Sequence, residues 1–369
     1  MSASPCATIP LFRPFLPPRE ELMPALEQVL YSGQISEGQP VYNFESGFAQ
    51  WVGNPRILSF YSGTAALHTA LILAGVQPGD EVISTAMTAE PTNLAILHAG
   101  GKVVWADVDP RNGNICPNSA ETLITSRTRA IVVVHYGGIP VDLAAFRQMG
   151  KRHGIAIIED AAHALGARYD DQLLGAQGDF VMFSLQAIKH ITTVDGGLLA
   201  CRREEDFERG RRIRWFGMDR HADRNQVDIQ EVGYKYHMNN VNATMGLCQL
   251  PHIDSVVNRH ISNGQYFDQH LRDVPGLELC AWAAAAAPSY WFYTVLADRR
   301  DDLMRHLTAR GIANSLCHRR NDLHTVFASA RRALPGLDAF YSRMLHLPCG
   351  WWLSAEDREQ IVAALREGW

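Results

Sequence analysis

The chain has 369 residues, with 34 Lys and Arg against 39 Asp and Glu, a formal net charge of −5. Hydrophobic residues make up 47% and charged residues 20%, an ordinary composition for a soluble globular chain that excludes whole-chain disorder and fibrous repeats. The mild acidity argues against non-specific nucleic-acid binding, because a phosphate binder needs a basic surface.

At roughly 100–200 residues per domain, the length points to two or three domains and a large core. The first eighteen residues lack a basic-then-apolar leader pattern and are broken by Pro5, Pro10, Pro14, Pro17 and Pro18. No stretch approaches the roughly 18 apolar residues of a membrane helix. Seven scattered cysteines, Cys6, Cys116, Cys201, Cys248, Cys280, Cys317 and Cys349, form no C-x-x-C pair. The expectation is a reducing compartment, the cytoplasm, with neither a metal site nor a disulfide framework.

In chain order, Arg56–Phe60 reads as a strand running into Ser62-Gly63-Thr64 and a helix over Ala65–Ala74. Strand Glu81–Thr85, helix Thr92–His98, strand Lys102–Ala106 and strand Ala130–Val134 follow. Next come an amphipathic helix at Val141–His153 and strands Ile155–Glu159, Phe180–Phe183 and Leu198–Cys201. Short apolar strands separated by helices predict an α/β domain with a mostly parallel sheet covered on both faces. Near residue 250 the pattern changes. A long helix Pro251–Arg272, a loop around Ala283–Ala287, strand Tyr290–Ala297, helix Asp301–Arg310 and a terminal helix Ser354–Arg366 suggest a smaller α+β domain. The expected division is 1–250 and 251–369.

In open α/β sheets, ligands bind at the carboxyl ends of the strands. Ser62-Gly63-Thr64 opens a helix there and suits an anion, through small residues and the positive helix end. It is equally an ordinary helix cap. Asp160, with Ala161, Ala162 and His163, ends the Ile155–Glu159 strand. It could pair with a buried cation or cap a helix, and His163 could be a structural histidine. Ser184 follows the next strand and leads to Lys189, in a near-neutral loop closed by Gly196-Gly197. Desolvation would lower the Lys189 pKa and free its amine for Schiff-base chemistry, whereas an exposed loop lysine would be inert. Together an anion cradle, an acid, a hydroxyl and a lysine meet the requirements of pyridoxal 5′-phosphate (PLP): an anchor for the aldehyde, an acid for the ring nitrogen and a site for the phosphate.

These motifs make the chain resemble the DegT/StrS-type sugar aminotransferases. The matching segments are Gly38-Gln39-Pro40-Val41 with Phe44-Glu45, Ser62–Leu67, Pro78–Ile83, Asp107-Val108-Asp109-Pro110, His135-Tyr136-Gly137 and Glu159–Ala167. Phe183-Ser184 through Lys189 to Gly197, Gly233–Asn239 and Leu345-His346-Leu347-Pro348 complete the set. It covers nearly the whole chain in order. The resemblance implies a PLP fold type I enzyme that moves an amino group, with glutamate as donor, to a C3 or C4 ketone of a nucleotide-linked deoxysugar. The pyridoxamine form would be its half-reaction partner.

It also implies roles. Lys189 is the Schiff-base lysine and proton carrier, Asp160 pairs with the pyridinium nitrogen, and His163 lies against the 3-oxygen. Gly63, Thr64 and Ser184 hold the phosphate. Lys235, in Gly233–Met238, reaches the phosphate of a partner subunit, which implies a homodimer with shared active sites. Two positions depart from the family: Ala89 stands where a ring-stacking aromatic is usual, and His237 where Arg is common. The other readings kept open are the same chemistry on an inosose or aminoshikimate-type acceptor, and a non-catalytic regulator that kept the fold. A sugar dehydratase with His in place of the lysine is disfavoured by Lys189, although His190 adjoins it. Trp51, Trp105, Trp282, Trp291, Trp351 and Trp352 read as packing or interface residues. Arg209–Arg214 reads either as a diphosphate path or as a solvated helix face, and Arg319 or Arg320 as a candidate substrate-phosphate contact.

Overall fold

The computed structural model describes residues 9–369, so Pro5 and Cys6 lie outside the described residues. Seven strands among them form the central sheet: β1 (Ile57–Phe60), β2 (Glu81–Thr85), β3 (Lys102–Ala106), β4 (Thr128–Val134), β5 (Ala156–Asp160), β6 (Phe180–Ser184) and β7 (Gly197–Cys201). Their order is β1-β7-β6-β5-β4-β2-β3, and β7 alone runs against the others. The expected mostly parallel sheet is therefore present.

Both faces of the sheet are dry, and strand alternation divides the side chains between them. Ile131, Val133, Ile157, Val181 and Leu198 join one core, with Val41, Phe44, Phe48 and Phe146 from covering helices. Ala130, Val132, Ile158, Met182 and Leu199 join the other, with Leu67, Leu71, Ile96 and Phe340. One covering helix, Gln39–Val52, was not foreseen. It buries Val41, Phe44, Phe48 and Val52 at helical spacing, places Pro40 in its first turn and ends on Gly53 at φ +77°. Helix Arg19–Tyr31 was also missed.

A third core lies beyond the sheet. Phe267 and Leu271 from around the end of helix Ile253–His270 pack there with Val295, Leu307, Leu345 and Ile361. A small antiparallel sheet, Leu277–Leu279, Tyr293–Ala297 and Met344–Leu347, supports it. The expected helix Pro251–Arg272 is shorter, and a 3₁₀ turn over Leu250–His252 precedes it. Ala283–Ala287 is not all loop, because Ala286 and Ala287 pair with Tyr169 and Arg168. The N-terminal segment joins this core through Ile9, whose amide donates to the Gly311 carbonyl at 2.8 Å. Phe15, further along, meets the end of helix Asn240–Gln249, where its carbonyl accepts from Gln249 Nε2 at 3.1 Å. No helix among the described residues is long and apolar enough to cross a membrane.

Candidate active site

The carboxyl ends of β1, β2, β4, β5 and β6 open on a cavity of about 370 Å³. Ser62, Gly63, Thr64, Ser184, Asp160, His163 and Lys189 all line it. β7, being antiparallel, begins at the same edge, so Gly196 lines the cavity too.

The anion end starts with Ser62, whose Oγ accepts from the Ala65 amide at 3.1 Å and caps helix Gly63–Leu73. The first amides of that helix lack helical partners and carry its positive partial charge. Close packing explains two glycines here. A Cβ on Gly63 would lie 3.1 Å from Met182 Sδ and 3.4 Å from Ser184 Oγ. A Cβ on Gly197 would lie 2.6 Å from both the Gly63 amide nitrogen and the Ser62 carbonyl oxygen.

Asp160 is buried at the end of β5. Its Oδ2 accepts from Thr92 Oγ1 at 2.7 Å, and its Oδ1 from the Ala162 amide at 3.0 Å. Thr92 Oγ1 in turn lies 2.9 Å from Thr88 Oγ1. Burial raises the Asp160 pKa, while the Thr92 hydroxyl, the Ala162 amide and Lys189 oppose that rise. Such a carboxylate gains by meeting a cationic N–H. Its neighbour Glu159 faces the other side of the sheet, where His135 Nε2 meets it at 3.1 Å.

Burial lowers the Lys189 pKa to about 8, with Asp160 and Cys317 holding it from falling further. Its Nζ sits over the Trp291 ring, 4.0 Å from the centroid. His163 stacks on the same indole at 3.9 Å and 18°. Its Nδ1 is buried without a partner among the described residues, and burial drives the imidazole well below its usual range, so the ring is neutral at pH 7. His318 stacks on His163 at 5.5 Å and also lines the cavity.

Several sequence expectations change. Trp291 is not only a packing residue, since it lines the site. Thr88, Thr92 and His318 were not singled out, and Thr88 and Thr92 flank Ala89 at the start of helix Glu90–His98. Ala89 lines the cavity as a small residue, and the aromatic rings there are His163, Trp291 and His318. Lys235 is exposed and lies outside this cavity.

Arg320 is committed elsewhere: it pairs with Asp322 at 2.8 Å and also with Asp338. Asn321 docks its segment instead, donating to the Thr88 carbonyl at 2.8 Å. Arg319 is exposed and takes part in no ion pair among the described residues. The Arg209–Arg214 run is divided between ion pairs and solvent, with Arg212 exposed. Arg209 pairs with Glu231 at 2.9 Å, Arg211 with Glu208 at 3.2 Å, and Arg214 is buried against Glu45 and Glu37.

The residues present fit PLP. Gly63 leaves room for an anion where a Cβ would crowd Ser184, Asp160 is a buried acceptor, and the orphaned His163 Nδ1 needs a partner. The lysine amine is partly buried in the same cavity.

Comparison with known proteins agrees. Residues 18–366 match the model of the DegT/DnrJ/EryC1/StrS aminotransferase family. The structure of AtS13 from Actinomadura melliaura is 42% identical, covering 99% of this chain and 100% of that one, with a TM-score of 0.94. The sugar aminotransferase CalS13 from Micromonospora echinospora is 37% identical, covering 98% and 100%, with a TM-score of 0.94. Spr1654 from Streptococcus pneumoniae, solved in PLP-form and PMP-form, is 25% identical, covering 98% of this chain and 98% and 97% of those chains, at a TM-score of 0.89.

Proposed function

The chain belongs to the DegT/DnrJ/EryC1/StrS aminotransferase family, and from that premise we propose the finer reaction. The enzyme takes an amino group from glutamate and delivers it to a C3 or C4 ketone of a nucleotide-linked deoxysugar, in the cytoplasm. Family membership makes it a PLP-dependent sugar aminotransferase. The observation that carries the residue assignment is one cavity holding a buried acid, Asp160, a lysine of lowered pKa, Lys189, and a helix start at Ser62-Gly63-Thr64.

When bound, PLP supplies an electron sink that makes the Cα–H of an attached amine acidic. Gly63 and Thr64 offer backbone amides, and Ser184 a hydroxyl, to its phosphate. Asp160, held by Thr92 and the Ala162 amide, would keep the proton on the ring nitrogen. His163, neutral and flat against Trp291, has a buried Nδ1 that would be available to the ring's 3-oxygen. Lys189, with a pKa of about 8, would be the base able to take the proton from Cα and to return it at C4′. Over the whole reaction glutamate and the keto sugar would exchange amine for carbonyl, giving 2-oxoglutarate and the amino sugar, with the water taken up by the donor matched by the water released from the ketone.

We further assign residues 1–250 to the PLP-binding domain and 251–369 to the small domain. A homodimer with shared sites is supported by Lys235, which is exposed and outside its own cavity. Exposed apolar side chains of Tyr61, Val194, Phe216 and Val232 support it as well. The test is single-turnover chemistry. Protein loaded with the pyridoxamine form is offered 3-keto and 4-keto nucleotide sugars, and return of the PLP spectrum is followed. Return with one of them supports the proposal. Return only with an inosose or a shikimate-type ketone would replace it.

A further inference from the structure

Trp291 meets the lysine loop twice. Its Nε1 donates to the carbonyl of Ile188, the residue before Lys189, at 2.9 Å. Its ring face lies 4.0 Å beneath the Lys189 ammonium. The indole is almost fully buried, and Phe12 of the N-terminal segment stacks on it at 4.5 Å and 23°. A lysine amine rides on a flexible four-carbon stem. No hydrogen bond among the described residues fixes its tip, whereas an electron-rich ring at this distance attracts it.

We propose that Trp291, backed by Phe12, is a positioning residue for Lys189: the indole face holds the amine at its place in the cavity, and the Ile188 carbonyl holds the indole. The proposal rests on the reading of Lys189 as the reactive lysine, but not on the sugar or the donor. The titratable and charged groups facing Nζ are Asp160, Cys317, His163, His190 and His318. Asp160 and Cys317 favour the ammonium, as the indole does, and the three neutral histidines do not.

The effect is measurable without turnover. The full-length chain is grown with difluorotryptophan in place of its eight tryptophans, which drains charge from the indole faces at nearly constant volume. PLP is released from Lys189 as its oxime with hydroxylamine and dialysed away, and the pH dependence of Lys189 acetylation by acetic anhydride is read by mass spectrometry. An attraction of the ordinary cation–π size predicts a drop of about 0.2–0.5 units in the Lys189 pKa. In Trp291→Phe the same fluorination should leave the pKa unmoved. No drop in the parent chain, or an equal drop in Trp291→Phe, overturns the proposal. The ¹⁹F resonance missing from Trp291→Phe identifies residue 291, and it should shift in Phe12→Ala. An unmoved resonance removes Phe12 from the device. A chain that binds no PLP would instead sink the cofactor assignment, while the acetylation profile would still decide the role of Trp291.

Discussion

Adjacent carboxylates on one strand, Glu159 and Asp160, face opposite sides of the sheet and meet different partners. Glu159 meets His135 in the dry interior, while Asp160 opens on the cavity and accepts from Thr92. Only the second has a free role. Asp160→Asn should therefore lower turnover about 10²-fold or more, with far less loss of bound PLP, since an amide cannot hold the ring-nitrogen proton. Turnover near normal in that variant would mean a different acid serves. Lys189 makes a prediction about stability. Its folded pKa, about 8, lies below the ordinary 10.5, so the unfolded chain binds more protons between those values and stability rises with pH across that window. Lys189→Met removes the cost of burying the charge. In cofactor-free protein it should stabilise by up to about 3 kcal/mol near pH 7. The gain should shrink as pH climbs from about 8 and vanish above about 10.5, as urea titrations at several pH values would show. A gain independent of pH would mean that Lys189 is not titrating in that range.

The phosphate end depends on how closely three strand ends converge. Phe60 and Ser184 both pair with Gly197, and the helix at Gly63 starts against that glycine. Gly197 has no positive φ, so its requirement is space rather than conformation. Gly197→Ala puts a methyl group against the Gly63 amide and must push the helix start aside. Overpacking of this kind costs about 1–3 kcal/mol, so PLP affinity should weaken roughly tenfold or more. Equilibrium dialysis of PLP measures it, and unchanged affinity would place the anion elsewhere. Helix Gln39–Val52 supports the same region from behind. Its Glu45 accepts from the Ser59 amide and hydroxyl, each at 2.7 Å, and pairs with the buried Arg214. That arginine is therefore a structural tie between the helix and β1, and charge on the Arg209–Arg214 segment did not reveal it.

Across the whole molecule, the N-terminal segment spans two cores, joining the third at Ile9 and one core of the sheet at Phe12, whose ring lies on Trp291, before the Phe15 carbonyl accepts from Gln249. The two cores and the lysine platform are thus linked by one strap. The remaining question of scale is the partner subunit. Sedimentation of the active protein should give a dimer, and Lys235→Ala should weaken PLP binding without altering the cavity of its own chain. Mixed dimers provide the check: combining Lys235→Ala with Lys189→Ala subunits should leave only some sites complete. A fully active monomer would end the shared-site reading.

Much of this was legible locally. Strands buried on both faces appear as short apolar runs, and strand ends carry Ser62, Asp160 and Ser184 because ligand sites in such sheets lie there. Lys189 showed itself as a lone amine in a near-neutral loop. Helices Arg19–Tyr31 and Gln39–Val52 were hidden because Pro24 and Pro40 resemble breakers, although one is tolerated inside its helix and the other sits in a first turn. Local pattern could not supply partnership. Trp291 lies 103 residues from the Ile188 carbonyl it bonds, and Arg214 lies 169 from Glu45. A buried tryptophan and a buried arginine have the same letters whether they pack, pair or hold a lysine. Their roles follow from which distant surfaces the fold presses together, and only the tertiary structure decides that.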